Sequence, residues 1–444
     1  MPDTRTYDVV IIGGGQAGIP LAWALAKRGK TVALAERKYL GGSCVNFGCT
    51  PTKAAIASAR VAHLARRASD FGLKIASVEA DFPAVIRRAS EIALQSRRDL
   101  ERGFEHSENP KLLRGHAQFT GRAETGLELR IGTGGTSFSV RAKQVVLNTG
   151  TRTAIPKIPG LDKTDFIDAG NWLDHPVLPE RLAVIGGGYI GLEMAQFYRR
   201  MGSQVTVWEG ASRISEHEDE EISTAIQAFL EQEGIEFRLG AQVQSVDELN
   251  ATHVFVATGR KPNTDDLGLE TIGVEQDAHG YIKVDQRLAT NVKGVWVGGD
   301  IRGGPQFTHT SWDDYRILES QIAGDGSRTT DRVVPYAMFT DPELGRVGLT
   351  EREAREKVLK FQVKRFEMKR NGKAREIGEP QGFITVLLEE GTDKILGAAL
   401  LCTEAAELVH MYIDLMNAGA SSAVIRDAVH IHPTLAEAVQ SAVS

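Results

Sequence analysis

Cysteine is close to absent: 444 residues hold three, Cys44, Cys49 and Cys402. Three thiols cannot build a secreted disulfide framework, and no second Cys/His pair stands near Cys44 and Cys49 to complete a zinc site. A large excess of charge of either sign is also missing. The formal balance is −6 at pH 7, and the short runs Arg66-Arg67, Arg97-Arg98 and Arg199-Arg200 read as solvated helix faces, so a general nucleic-acid binder is excluded. Long apolar runs are missing too. Val9 to Ala26 is uncharged over eighteen residues, but glycines interrupt it, Asp3 and Asp8 precede it and no small-residue cleavage site follows. Neither a membrane span nor a signal peptide is expected. With 42% apolar and 25% charged residues and no low-complexity segment, the chain reads as globular and cytoplasmic, with roughly two to four domains.

What is present is a cysteine pair in an unusual setting, Gly41-Gly-Ser-Cys44-Val-Asn-Phe-Gly48-Cys49-Thr-Pro51-Thr-Lys53. Five residues of ideal helix would hold the two Cα atoms roughly 8.7 Å apart, beyond the ~7 Å reach of a disulfide. Gly48 supplies backbone freedom and Pro51 lacks an N–H that a first turn leaves unpaired, so a bridge becomes feasible if Cys44 precedes the regular helix. A thiol at such a helix start also has its pKa lowered by the dipole. Spacing alone leaves open a redox pair, half a zinc site or two inert thiols. The neighbours decide.

Two matched units flank that decision. A strand Tyr7 to Ile12 leads into Gly13-Gly-Gly15-Gln-Ala-Gly18, a helix and a second strand ending at Glu36; Leu182 to Ile185 lead into Gly186-Gly-Gly188-Tyr189-Ile-Gly191, a helix and a strand ending at Glu209. Glu36 lies 23 residues after Gly13, and Glu209 lies 23 after Gly186. The glycines let backbone approach a pyrophosphate at the helix start, and the acid is placed for a ribose 2′-hydroxyl. Strand, turn, helix, strand and acid occurring twice imply two dinucleotides. Each unit closes on a similar turn, Asn148-Thr149-Gly150 and Ala257-Thr258-Gly259, and a third turn, Gly298-Gly299-Asp300, suggests that the first unit resumes after the second.

The expected organisation is therefore α/β: residues 1–155 and 276–330 as an FAD-binding Rossmann-like domain, 156–275 as an NAD(P)-binding one, and 331–444 as an α+β dimerisation domain. Helices are expected over Ala54 to Phe71 and Phe82 to Phe104, short strands over Gly115 to Val140, and C-terminal strands near Tyr336, Gly382 to Glu389 and Ile395 to Leu401. The acidic run Glu216 to Glu221 reads as a solvated helix start. Most of the histidines read as ordinary, but His430-Ile-His432-Pro-Thr-Leu-Ala-Glu437 has the parts of an oriented base, a ring with a carboxylate to fix its tautomer.

Taken together, the chain resembles the class I pyridine nucleotide-disulfide oxidoreductases, the group of dihydrolipoyl dehydrogenase, glutathione reductase and mercuric reductase. The likeness spans the whole length and rests on the cysteine stretch 41–53, the turn 186–193, Gly-Gly-Asp at 298–300, Phe339 to Glu351 and His430 to Glu437. It implies an FAD site at the first unit with Glu36 and Asp300, and a nicotinamide site at the second with Glu209. NADH is favoured, since a 2′-phosphate would face the Glu209 charge; Arg213 is the residue that keeps NADPH open.

The resemblance further implies that Cys44 exchanges with substrate and that Cys49 lies against the flavin. It implies that Lys53 pairs with Glu193 beside the flavin's reactive nitrogen, that Tyr189 covers the nicotinamide pocket, and that His432, held by Glu437, serves as base from the partner subunit of a homodimer. No resident metal is implied. Two departures are visible. The metal-binding module and C-terminal cysteine pair of mercuric reductase are absent, and Thr308 to Tyr315 replaces the small apolar residues usual at the flavin-facing helix. Cys402 reads as a packed bystander. Three functions stay open: transfer between a nicotinamide and a small or protein-borne disulfide or dithiol, reduction of a soft metal ion by the same cysteines, and a slow redox-sensing flavoprotein.

Overall fold

The computed structural model describes residues 4–444. Val9, Val10, Ile11 and Ile12 are at most 4% exposed, as expected of a parallel strand covered on both faces. The strand Arg5–Ile12 sits at the centre of a seven-stranded sheet, parallel to Val32–Glu36 on one side and to Thr136–Leu147 on the other. Lys111–Arg114 extends the sheet beyond Val32–Glu36, and the meander His116–Ala123, Gly126–Thr133, Thr136–Leu147 completes it. Val295–Val297, far along the chain, pairs in parallel with the end of Thr136–Leu147. Late sequence is thus woven into the first sheet.

The second sheet has five parallel strands in the order Ile235–Leu239, Gln204–Glu209, Arg181–Ile185, His253–Val256, Ile167–Asp168. The chain enters and leaves this unit through an antiparallel ribbon, Thr151–Thr153 against Arg260–Pro262. We place the return at Arg260–Pro262, earlier than the expected residue 276, because Leu267, Leu269, Ile272 and Val274 pack into the core beneath the first sheet.

A third, antiparallel sheet runs Tyr336–Met338, Glu343–Gly348, Ile395–Cys402, Phe383–Glu389, Phe361–Glu367. Two of its strands, Glu343–Gly348 and Phe361–Glu367, are additions to the expected set. The expected helix over Ala54 to Phe71 instead begins at Cys49 and ends at Arg66, followed by a 3₁₀ turn at Ala68–Phe71; Phe82–Glu105 is helical as expected. No helix among the described residues is long and apolar enough to cross a membrane.

Candidate active site

Cys44 lies in a short helix, Gly42–Asn46, and Cys49 is the first residue of the helix Cys49–Arg66. Gly48 breaks the two apart with φ −97° and ψ −122°, and the N–H groups of Phe47 and Gly48 both donate to the Ser43 carbonyl, at 3.1 and 2.7 Å. This fold-back brings both thiols, free in this structure, into hydrogen-bond contact. The Cys44 S–H donates to Cys49 and, with the Thr308 hydroxyl 3.2 Å from its Sγ and the Lys53 charge, pulls the Cys49 pKa down to about 6. Cys44 is pushed up, first by that same hydrogen bond and then by burial. Of the two thiols, Cys49 is the one whose pKa is lowered.

One helical turn below Cys49 stands Lys53, and one turn below Tyr189 stands Glu193, because residues four apart share a helix face. Lys53 Nζ lies 2.6 Å from Glu193 Oε2, and its charge sits 4.6 Å from the centre of the Phe339 ring. The other Glu193 oxygen accepts from the Phe339 N–H at 2.9 Å. The Tyr189 ring stacks on Tyr336, with centroids 5.7 Å apart, and both hydroxyls donate to the same oxygen of Glu218.

That carboxylate corrects the reading of Glu216 to Glu221 as a solvated helix start. The helix begins at Glu220, but Glu218 is 0% exposed, and the neighbouring Asp219 pairs with buried Arg346 at 3.2 Å. Burial beside Tyr336 explains the difference at Glu218, and Asp219 is half-buried against the third sheet, while Glu216, Glu220 and Glu221 are exposed as expected.

The two glycine turns repeat one another atom for atom. Glu36 Oε2 accepts from Gly14 N at 2.8 Å and Oε1 from Lys38 N at 2.6 Å; Glu209 Oε2 accepts from Gly187 N at 2.7 Å and Oε1 from Ala211 N at 2.8 Å. Each acid therefore clamps its own turn while keeping lone pairs for a ligand. A Cβ on Gly18 would come within 2.2 Å of the Gly13 carbonyl, and one on Gly191 within 2.0 Å of the Gly186 carbonyl, so helix and turn can close only on glycine. Asn148 ties the first turn to the third, accepting from Gly18 N at 2.9 Å and donating to Gly298 O at 2.7 Å.

Asp300 takes weaker contacts from Thr151 and Ser311, and burial pushes its pKa up. Gly13, Gly15, Gly150, Gly186, Gly188 and Gly259 line one continuous cavity of about 2600 Å³ together with Glu36, Glu209, Asp300 and both cysteines. That volume exceeds the ~300–1,000 Å³ of an ordinary small-molecule site. Arg213 does not line it; its guanidinium is bonded to the carbonyls of Glu216 and Glu218.

His432 and Glu437 lie elsewhere. Nδ1 of His432 is 2.9 Å from Glu437 Oε1, and the Thr434 N–H donates to the other oxygen at 2.9 Å. The His432 side chain is 77% exposed and does not line the cavity of its own chain. Beside it Val429 and Ile431 are 100% and 78% exposed, the signature of a face built to be covered. Cys402 ends an inner strand, fully buried, with its thiol pKa raised by burial. Sequence reasoning missed Glu218, Tyr336 and Trp172, which carry no motif. It singled out Thr308 only as a departure.

Residues 7–314 match the family described as pyridine nucleotide-disulphide oxidoreductase, and residues 334–443 match its dimerisation domain. The chain belongs to the pyridine nucleotide-disulphide oxidoreductases. Among its relatives, the probable pyridine nucleotide-disulfide oxidoreductase RclA of Escherichia coli K12 is 33% identical over 451 residues, 98% of each chain. Mitochondrial dihydrolipoyl dehydrogenase of Pisum sativum is 33% identical over 458 residues, 98% of this chain and 90% of that one. Mercuric reductase of Streptomyces lividans is 31% identical over 455 residues, 98% and 95%. A solved structure described as the Cu(II) complex of HOCl-induced flavoprotein disulfide reductase RclA from Escherichia coli superposes with a TM-score of 0.90 at 32% identity, over 99% of each chain.

As a pyridine nucleotide-disulphide oxidoreductase, the protein is an FAD-dependent enzyme that uses NAD(P)H and carries the family's dimerisation domain. The residues present fit the flavin nucleotide. A Cβ on Gly42 would come within 3.0 Å of Gly15 Cα, so the first turn and the cysteine segment leave only a backbone-lined cradle between them.

Proposed function

We propose that the enzyme is an NADH-linked reductase of a small or protein-borne disulfide, acting through Cys44 and Cys49 and assembled as a homodimer with shared sites. The observation that carries this reading is the split of the cysteine pair, a depressed Cys49 at a helix start and a raised Cys44, inside the cavity that joins both glycine turns. Glu36 and Asp300 would hold FAD, and Glu209 the ribose of the nicotinamide nucleotide. The Glu209 charge and the engagement of Arg213 by backbone carbonyls support NADH over NADPH.

FAD, when bound, supplies transfer of a hydride equivalent from NADH to the sulfur pair. The chain's own residues do the remaining work. Lys53, held in place by Glu193, sets a positive charge beside Cys49, where electron density arrives. The base, His432 from the partner subunit oriented by Glu437, takes the proton that the raised pKa keeps on Cys44. The Cys44 thiolate attacks one sulfur of the substrate disulfide, forming a mixed disulfide and releasing the first thiol, which takes up the proton. Cys49 then attacks Cys44 and restores the bridge, and the second sulfur leaves as a thiolate that takes its proton from water, so two electrons leave with the two thiols. Tyr189 covers the nicotinamide pocket between turnovers.

A second reading has one observation in its favour: the relatives include a mercuric reductase and a structure described as a Cu(II) complex. Two thiols offer a soft ion two sulfur ligands, but no group of three or more His, Cys, Asp or Glu among the described residues is arranged to hold a metal. The deciding experiment is anaerobic mixing with dihydrolipoamide and then NAD⁺. Prompt flavin reduction with NADH appearing supports the disulfide reading. Inertness toward dihydrolipoamide and toward disulfides, with fast NADH-driven reduction of Hg(II) or Cu(II), overturns it in favour of the metal.

A further inference from the structure

We propose that Glu218 and Tyr336 form a latch that holds Tyr189 closed, and that they thereby set the affinity for NADH. Glu218 is a positioning residue, touching neither substrate nor cofactor. The proposal rests on the reading of Tyr189 as the cover of the nicotinamide pocket and assigns what keeps that cover in place.

Glu218 is fully buried, and one of its oxygens accepts from two phenols, Tyr189 in the second unit and Tyr336 in the third sheet, the latter at 2.8 Å. Its other oxygen makes no hydrogen bond and stands 3.7 Å from Arg346 Nη1, whose guanidinium also pairs with Asp219 at 3.2 Å. A buried carboxylate whose one bonded oxygen ties two phenols from different parts of the fold together is a costly device for packing alone. Burial and the adjoining carboxylate both raise the Tyr189 pKa, so its hydroxyl stays a donor throughout the working pH range.

The ring is held as well as the hydroxyl. Tyr189 stacks on Tyr336 with the planes 30° apart, Tyr336 stacks on Phe307 at 5.4 Å and 6°, and Phe307 stacks on His309 at 5.4 Å and 8°. Thr308, which lies between those two residues in sequence, touches Cys49. The closed position of the cover is thus registered against the side of the cavity that holds the sulfurs. A nicotinamide entering beneath Tyr189 must first break a charge-assisted hydrogen bond and part a stacked pair. The apparent affinity for NADH is then the intrinsic one multiplied by the fraction of molecules in which the cover stands open.

The test uses the FAD-loaded enzyme and anaerobic rapid mixing with NADH on one side and dithiothreitol on the other. Glu218→Gln keeps the shape but weakens the bond, and Tyr189→Phe removes the hydroxyl while keeping the ring. Each is expected to lower the apparent dissociation constant for NADH in flavin reduction by about tenfold, and to raise the ratio of NADH-driven to dithiothreitol-driven reduction at low nucleotide concentration by the same factor. Weakened or unchanged NADH affinity in both variants overturns the latch. If Glu218→Gln fails to fold, Tyr189→Phe decides by itself. Tyr189→Ala separates the two levels: wild-type NADH behaviour there removes the reading of Tyr189 as a cover, whereas a changed affinity there with wild-type values in the other two removes the latch alone.

Discussion

The indole Nε1 of Trp172 donates a 2.8 Å hydrogen bond to the carbonyl of Phe47, the residue between the two cysteines that closes the helix bearing Cys44. Trp172 is fully buried and meets Phe197 edge-on, with centroids 6.0 Å apart and planes at 74°. Phe197 belongs to the helix Tyr189–Met201 that carries Glu193. The segment after the inter-unit ribbon therefore braces the redox turn from behind. Trp172→Phe keeps an aromatic ring but strands the Phe47 carbonyl, and a loss of about 1–3 kcal/mol is expected. Denaturant unfolding of the FAD-loaded enzyme measures it, and an unchanged midpoint would show that the brace carries no strength.

The split between the cysteines has a spectroscopic consequence. In the reduced protein, thiolate absorbance is expected to titrate with a midpoint of about 6, assigned to Cys49. The chief cause is the Cys44 S–H, so Cys44→Ala should move that midpoint upward toward an ordinary thiol. Thr308→Val should move it in the same direction by less, since Thr308 contributes after Cys44. A midpoint that stays put in Cys44→Ala would mean that the helix start and Lys53, not the partner thiol, hold the charge.

Much of the site was legible because spacing in sequence becomes position in space. Matching intervals from Gly13 to Glu36 and from Gly186 to Glu209 became two matching clamps, whereas the ion pair of Lys53 with Glu193 was implied by the family resemblance alone. What stayed hidden depends on a partner distant in sequence. Glu218 looks like any acid in a charged run until Tyr336, 118 residues later, folds over it. Trp172 finds its acceptor 125 residues earlier, and Thr308 meets Cys49 across 259. The strand Phe361–Glu367 escaped for a different reason. It lies at a sheet edge with charged residues between its apolar ones, and half-exposed strands carry a weak apolar signal.

Glu343 makes the stability of the third domain depend on pH. Burial lifts its pKa to about 7, although its side chain accepts from the Ala406 N–H at 3.0 Å. Because the folded value lies above the ordinary carboxylate value, the native state holds the proton more tightly than the unfolded chain. The contribution is fully present below about pH 4.5 and is lost as pH rises through 7. Glu343→Gln cannot ionise but can still accept from Ala406. Its stability relative to wild type is expected to rise between pH 5 and pH 8 in parallel denaturant titrations, and a pH-independent difference would assign the effect to another group.

His432 faces away from the cavity of its own chain, so a mixture of two dead variants should regain activity. Cys44→Ser removes the proposed exchanging thiol, and His432→Gln removes the proposed base while retaining a side chain able to bond Glu437. In a mixed dimer, one site pairs the altered cysteine with the altered histidine. The other pairs an intact Cys44 with an intact His432. Random reassociation of equal amounts makes half of the dimers mixed, each with one working site of two, so about a quarter of wild-type disulfide reductase activity should return. If His432 instead served the Cys44 of its own chain, every site in the mixture would lack one of the pair. The mixture would then stay as inactive as its components.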